Sequence, residues 1–284
     1  MKIGFELGGG ASATWRAEAG DAAGMARLAM LKESSGMDEL SDDGSAGCRI
    51  VGGAELAREG GGSFGLPGHG MRIAFGGGDG PVRVAFREPT DPSQTEVYRW
   101  RGVRQMLFAG LVPHMLRGEC FMVHGALLER DGRAVLVCGP SGIGKSTTAG
   151  RMAKRFRILA DDCMALYRDG GRWTARPLPT WSVYLFGKSA LTSCDVRSAF
   201  PVERFFILGR GDARYTGLVP REALIGVANS FTDMVEWHTQ RYPEPLRRRL
   251  TGAALDAAAE LTHTLPGGAL QLTLECDIFQ VLPE

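Results

Sequence analysis

The 284-residue sequence has few of the features that would place it at once. It has no long hydrophobic run. The most apolar stretch, Met106 to Met115, is interrupted by Pro113 and His114 and falls well short of the roughly 20 residues a membrane-spanning helix needs. No apolar signal-peptide core follows Met1-Lys2-Ile3-Gly4-Phe5-Glu6. Neither sign of charge is in excess: 33 Lys and Arg stand against 32 Asp and Glu, a net charge of +1. Proteins that bind nucleic acid or acidic surfaces in general carry a basic surplus, so neither class of partner is expected. The six cysteines, Cys48, Cys120, Cys138, Cys163, Cys194 and Cys276, form no C-x-x-C pair, which excludes the usual zinc and thioredoxin signatures. Reduced thiols and a cytoplasmic location are the expectation.

What is present is an ordinary globular composition, 44% hydrophobic and 23% charged, with an unusual 40 glycines. The length suggests about two domains. Ten glycines fall between Gly60 and Gly80, where no long helix can form. Inside that stretch Met71–Phe75 and Val82–Phe86 read as two strands joined by a Gly76–Pro81 turn. Strands at Lys2–Leu7 and Thr14–Ala17, and a helix at Met25–Leu31, precede them. Glu88–Ser93, with Pro89 and Pro92, reads as a linker. Residues 1–92 are therefore expected to form a small strand-rich N-terminal domain, whose strand edges suit it to acceptor recognition or to completing the core, and residues 93–284 the domain that carries the chemistry.

The second unit opens on a capping box, Ser93-Gln94-Thr95-Glu96. Val97, Trp100, Val103, Leu107 and Leu111 recur at helical spacing and predict a helix over 95–112, ended by Pro113. Phe121 to Leu128 reads as one strand. Asp131-Gly132 is a hairpin signal, and Ala134–Cys138 is apolar enough for a strand buried on both faces. The expected fold class is α/β, with a mixed sheet.

Immediately after the buried strand stands Gly139-Pro140-Ser141-Gly142-Ile143-Gly144-Lys145-Ser146-Thr147, a complete G-x-x-x-x-G-K-[ST]. Glycines let successive backbone N–H groups turn around an anion without a side chain in the way. The Lys145 side chain adds charge at the outer phosphates, and the Ser146 hydroxyl is placed to meet Mg2+. A helix starting here adds its free N–H groups and dipole. Gly139, Ser141, Gly142, Ile143, Gly144, Lys145, Ser146 and Thr147 are the candidate nucleotide-binding residues.

Fifteen residues after Ser146, the short strand Arg157–Ala160 ends in Asp161-Asp162. A Mg2+ bound beside phosphates needs a carboxylate at the end of a neighbouring strand, and one aspartate suffices. Adjacent strand residues point to opposite faces, so the second aspartate is a candidate for another task, a catalytic base among them. His124 lies fifteen residues before Gly139. Pairing across Asp131-Gly132 puts it near the end of the strand from which the glycine loop departs, where it could hold or protonate an acidic partner.

Val123-His124-Gly125-Ala126-Leu127-Leu128, the Gly139–Ser146 loop and Leu159-Ala160-Asp161-Asp162, in this order and tight spacing, resemble the catalytic domain of HPr serine kinase/phosphorylase. That resemblance implies a fold related to phosphoenolpyruvate carboxykinase and an enzyme that moves a phosphoryl group from ATP to a protein serine. It also implies roles: Lys145 on the phosphates, Ser146 and Asp161 on Mg2+, Asp162 as the base, and His124 orienting or tuning it. Downstream, the glycine-rich E-I-R-G-L-G-type segment of HPr kinases is replaced by Ala175-Arg176-Pro177-Leu178-Pro179-Thr180-Trp181-Ser182, and Phe205-Phe206 follow later. In this the chain is similar to the HPr-kinase-related proteins of the SynChlorMet cassette and to kinases that tailor ribosomal peptides. The implied partner is a peptide or protein acceptor, and homo-oligomerisation is left open.

Three further features carry weaker signals. Arg204, Arg210 and Arg214 are candidates for a transition-state charge. Trp181, stiffened by Pro177 and Pro179, could face a substrate. Arg247-Arg248-Arg249 reads as the wet face of a helix. A small-molecule kinase, a simple nucleotide hydrolase and a nucleotide-holding partner module are the competing readings of the same motifs.

Overall fold

A computed structural model describes residues 1–7, 14–40, 47–58, 63–66, 71–76, 81–87, 95–179 and 194–283. The N-terminal part comprises β1 (Lys2–Glu6), β2 (Thr14–Ala19), α1 (Ala22–Ser35), β3 (Asp38–Glu39), β4 (Cys48–Ile50), α2 (Gly53–Arg58), β5 (Phe64–Leu66), β6 (Met71–Ala74) and β7 (Val82–Phe86). Its strands form one seven-stranded sheet in the order β3-β1-β2-β4-β7-β6-β5. Strict alternation drives β2: Trp15, Ala17 and Ala19 are buried while the residues between them stay partly exposed. The Asp21 carboxylate caps α1 by accepting from the Gly24 N–H at 2.6 Å. β6 and β7 pair antiparallel, as the hairpin reading of Met71–Phe75 and Val82–Phe86 predicts. The Glu88–Ser93 linker lies outside the described residues, as does most of the Gly76–Pro81 turn.

α3 (Thr95–Leu116) follows. Proline does not end it at 113. Losing one N–H and crowding the preceding turn would normally stop a helix. Here Val112 before the proline and His114 and Met115 after it are all buried, and their packing outweighs the lost bond. α3 packs against α1, β2, β4 and β7, and also against elements of the second sheet. One continuous hydrophobic cluster accordingly runs from Ile3 and Trp15 through Phe108 to Phe205 and Phe231.

The remaining elements are β8 (Cys120–His124), β9 (Ala126–Arg130), β10 (Arg133–Cys138), α4 (Lys145–Met152), β11 (Arg157–Ala160), β12 (Cys163–Asp169), β13 (Arg172–Pro177), β14 (Phe200–Arg210), β15 (Arg214–Gly217), α5 (Pro220–Thr239), α6 (Glu244–Thr264), β16 (Gly267–Leu272) and α7 (Ile278–Val281). The strands form a nine-stranded mixed sheet along β11-β9-β10-β14-β13-β12-β8, with β16 on β14 and β15 on β16. β10 runs parallel to β14, and β14 parallel to β16. The two faces of β10 enter different cores. Val135 and Val137 pack with Ala149 and Met152 of α4, while Ala134, Leu136 and Cys138 belong to the large cluster that holds Phe231 of α5.

The stretch Phe121–Leu128 is two strands. β8 pairs with β12, whereas β9 pairs with β10 and β11. The chain steps from one group to the other through the single residue Gly125, and opposite it the partner ribbon steps through Asp161-Asp162. His124 faces Cys163, Leu127 faces Ala160, and the Gly125 N–H donates to the Asp162 carbonyl at 3.1 Å. A Cβ at residue 125 would sit 2.9 Å from the Val137 carbonyl oxygen, so the bend needs glycine.

Candidate active site around the glycine loop and the ribbon bend

The bend gathers the site. β10 delivers the loop 139–144 beside it, and α4 leaves from Lys145. Gly139, Gly142 and Gly144 have φ of 138°, 76° and 111°, conformations that side-chain-bearing residues rarely adopt. A Cβ at 142 or 144 would meet nothing within 4 Å, so glycine is required there by backbone conformation alone. Ser141, Gly142, Ser146 and Thr147 are exposed at the mouth, Ile143 is half-buried, and Gly139 and Lys145 are buried.

Lys145 donates through Nζ to the carbonyl oxygens of Gly139 at 2.8 Å and Pro140 at 3.1 Å. Burial pushes its ammonium below the ordinary lysine value, opposed by the charges of Cys138, Asp233 and Asp162. The Ser146 hydroxyl donates to the Asp161 main-chain carbonyl at 3.1 Å, which ties the first turn of α4 to the ribbon bend. Asp161 is 4% exposed and Asp162 half-exposed, in keeping with opposite faces. Lys145, Ser146, Asp161, Asp162 and His124 are thus held around one loop, although His124 reaches it from a different strand.

Sequence reasoning missed the floor of the site, which α5 supplies. The Ser230 hydroxyl accepts from the Gly139 N–H at 3.1 Å. Asp233 Oδ2 lies 3.0 Å from His124 Nδ1, and the Trp237 ring is tilted 56° against the imidazole with centroids 4.6 Å apart. The only trace in the sequence is their spacing of three and four residues along one helix. Burial, and then the Lys145 charge, push the His124 imidazole below its ordinary value, against the opposing pull of Asp233 and Asp162. Of the three arginines singled out above, Arg210 reaches the loop, donating to the Gly142 carbonyl at 3.1 Å. Arg214 instead donates to Gln271, and Arg204 lies 3.8 Å from Glu203. Thr180 and Trp181 lie outside the described residues.

The donor set fits a nucleotide with Mg2+. A buried ammonium rests on neutral carbonyls, a serine hydroxyl opens the helix, and two carboxylates close the bend. Among the described residues no group of three or more His, Cys, Asp and Glu could hold a metal by itself. Mg2+ beside phosphates takes one or two carboxylates and completes its shell with phosphate oxygens and water. Among the same residues, no helix is long and apolar enough to cross a membrane.

Curated relatives include the HPr kinase/phosphorylase of Geobacillus thermodenitrificans, 46% identical over 48 residues, which is 16% of this chain and 16% of that protein. The HPr kinase/phosphorylase of Lactobacillus johnsonii is 34% identical over 79 residues, 28% of this chain and 25% of that one. The chain thus spans a quarter or less of these relatives' lengths. A solved structure of the Hpr(Ser) kinase/phosphatase from Coxiella burnetii aligns with TM-score 0.24 and 13% identity, covering 34% of this chain and 71% of that one. The family model of the SynChlorMet cassette protein ScmC matches residues 91–282, more than half of the sequence and all of the site just described. By that match, the chain belongs to the SynChlorMet cassette protein ScmC family, which is related to the HPr kinases.

Proposed function

We propose that this protein is an ATP- and Mg2+-dependent kinase that transfers the γ-phosphoryl group to a serine hydroxyl of a peptide or protein, within a peptide-modification pathway. The observation that carries the reading is Lys145: a buried cation that donates to two neutral loop carbonyls, at the start of a helix and beneath an open glycine loop. Such an ammonium gains more from a phosphate than from neutral carbonyls. In this reading the loop N–H groups from Gly139 to Ser146, with Lys145, hold the β- and γ-phosphates. Ser146 and Asp161 hold Mg2+, which neutralises charge on the phosphates when bound. Asp162 takes the proton of the acceptor hydroxyl as the new oxygen–phosphorus bond forms and the bond to the ADP oxygen breaks. His124 orients or tunes Asp162. Most of the rate then comes from positioning and charge neutralisation.

For residues 1–92 we propose acceptor recognition or support of the core, with the transfer chemistry confined to residues 93–284; the hydrophobic cluster shared through α3 favours support of the core. The test is single-turnover assay with γ-labelled ATP and candidate precursor peptides, alongside Lys145→Ala. Label on a peptide serine supports the reading. Label released to water alone, or carried by a small molecule, replaces it with one of the competing readings. Lys145→Ala is expected to abolish transfer and to weaken nucleotide binding in calorimetry with Mg2+. Unchanged affinity would overturn the phosphate-site reading.

A further inference from the structure

α5 meets the site along one stripe. Ser230, Asp233 and Trp237 stand at positions i, i+3 and i+7 and therefore share a helix face. Ser230 is fully buried and accepts from the first N–H of the glycine loop. One turn later Asp233 meets His124, and one turn further Trp237 leans on the same imidazole. His124 is buried, at 6% exposed, and the Asp233 side chain is 23% exposed. A helix otherwise packed through Val227, Phe231, Met234 and Val235 has no packing need for a carboxylate on this stripe.

We infer that Asp233 is a positioning residue which locks His124 into its Nδ1–H tautomer, and that α5 thereby holds the histidine and the root of the glycine loop in one rigid frame. An ionised carboxylate only accepts, so the ring nitrogen it faces carries the proton. The second nitrogen, Nε2, is then left as an acceptor. The groups around the ring are Asp233 from α5, Lys145 from α4 and Asp162 from the ribbon bend. Burial and the Lys145 charge disfavour imidazolium, against the pull of Asp233 and Asp162, and so favour a neutral ring held by one strong hydrogen bond. A neutral Nε2 acceptor can receive a hydrogen bond from a hydroxyl or a protonated carboxyl; the opposite tautomer could only donate. The catalytic consequence rests on the kinase reading, whereas the tautomer does not.

The decisive measurement is long-range 1H–15N correlation on the full chain with 15N-labelled histidine. The sequence has five histidines, and His124→Gln identifies the signals of residue 124. The wild-type spectrum is expected to show Nδ1 protonated and Nε2 bare. Nε2–H in the wild type overturns the proposal with no variant needed. In Asp233→Asn, whose amide can also donate, the preference is expected to be lost or inverted, and in Asp233→Glu to be kept. An unchanged tautomer in Asp233→Asn would show that Asp233 does not set it. On the activity side, Asp233→Asn is expected to keep Mg2+–nucleotide affinity within about twofold and to slow transfer at least about tenfold, with recovery in Asp233→Glu. Loss of nucleotide affinity equal to the loss of transfer would mark a merely structural role. A wild-type Nδ1–H tautomer in a protein that transfers no phosphoryl group would leave the positioning inference standing and remove the kinase reading.

Discussion

Two adjacent aspartates at the ribbon bend face different surroundings, and their difference is the sharpest residue-scale test of the site. Asp161 is buried, and its main-chain carbonyl accepts from the Ser146 hydroxyl; Asp162 is half-exposed, and its carbonyl accepts from Gly125. Asp161→Asn is expected to remove the Mg2+-dependent part of nucleotide affinity, since it takes charge from the buried side next to Ser146. Asp162→Asn is expected to keep that affinity and to slow transfer by about two orders of magnitude, the scale of a lost general base. Calorimetry with and without Mg2+, paired with single-turnover rates, separates the two. Equal loss of binding in both variants would mean that they act as one metal-binding unit.

Among the elements, the β8–β9 and β11–β12 ribbon does most to build the site, because its bend turns two distant sequence segments toward the end of β10. The bend depends on Gly125, whose missing side chain allows the Val137 carbonyl to approach. Met164 Cε lies only 3.0 Å from the same point, so two neighbours would have to move. Gly125→Val is expected to cost about 1–3 kcal/mol, as overpacking of a tight interior does. The check is the midpoint of denaturant unfolding, together with nucleotide affinity, which should fall as the bend opens. A midpoint and affinity equal to wild type would show that the strand break at 125 has another cause. α3 gives the complementary lesson: Pro113 reads as a stop, but buried neighbours on both sides of it carry the helix on to Leu116.

At the scale of the molecule, α3 is shared property. It lies between the N-terminal sheet and the elements that carry the site, and Val103, Phe108 and Leu111 on it are fully buried. A chain beginning at Ser93 would return part of that face to water, at about 1.5–3 kcal/mol for each large side chain uncovered. Such a chain is expected to aggregate or to melt well below the full-length protein, as measured by size-exclusion chromatography and thermal unfolding. A soluble 93–284 chain with wild-type stability and nucleotide affinity would show instead that residues 1–92 are an independent unit, free for some other task such as acceptor recognition.

The glycine loop, Lys145, Ser146 and the aspartate pair were legible in the sequence because their spacing is local: one strand–loop–helix unit and the short strand after it bring the loop N–H groups, the ammonium, the hydroxyl and the carboxylates together whatever surrounds them. The strands β2, β6 and β7 and the burial of β10 were legible for the same reason, since each is written in a short run of neighbouring residues. The strand break at Gly125 was not, because it arises from contact with Val137 and Met164, which no pattern within residues 121–128 records. Nor was the α5 stripe. Ser230 and Asp233 lie 91 and 109 residues from the groups they hold, and a serine and an aspartate on an amphipathic helix look like any other polar positions until the partner arrives. Tertiary structure alone decided which helix backs the loop, which arginine touches it and which carboxylate meets His124, because those choices depend on how the sheet curls and not on the order of residues along any one element.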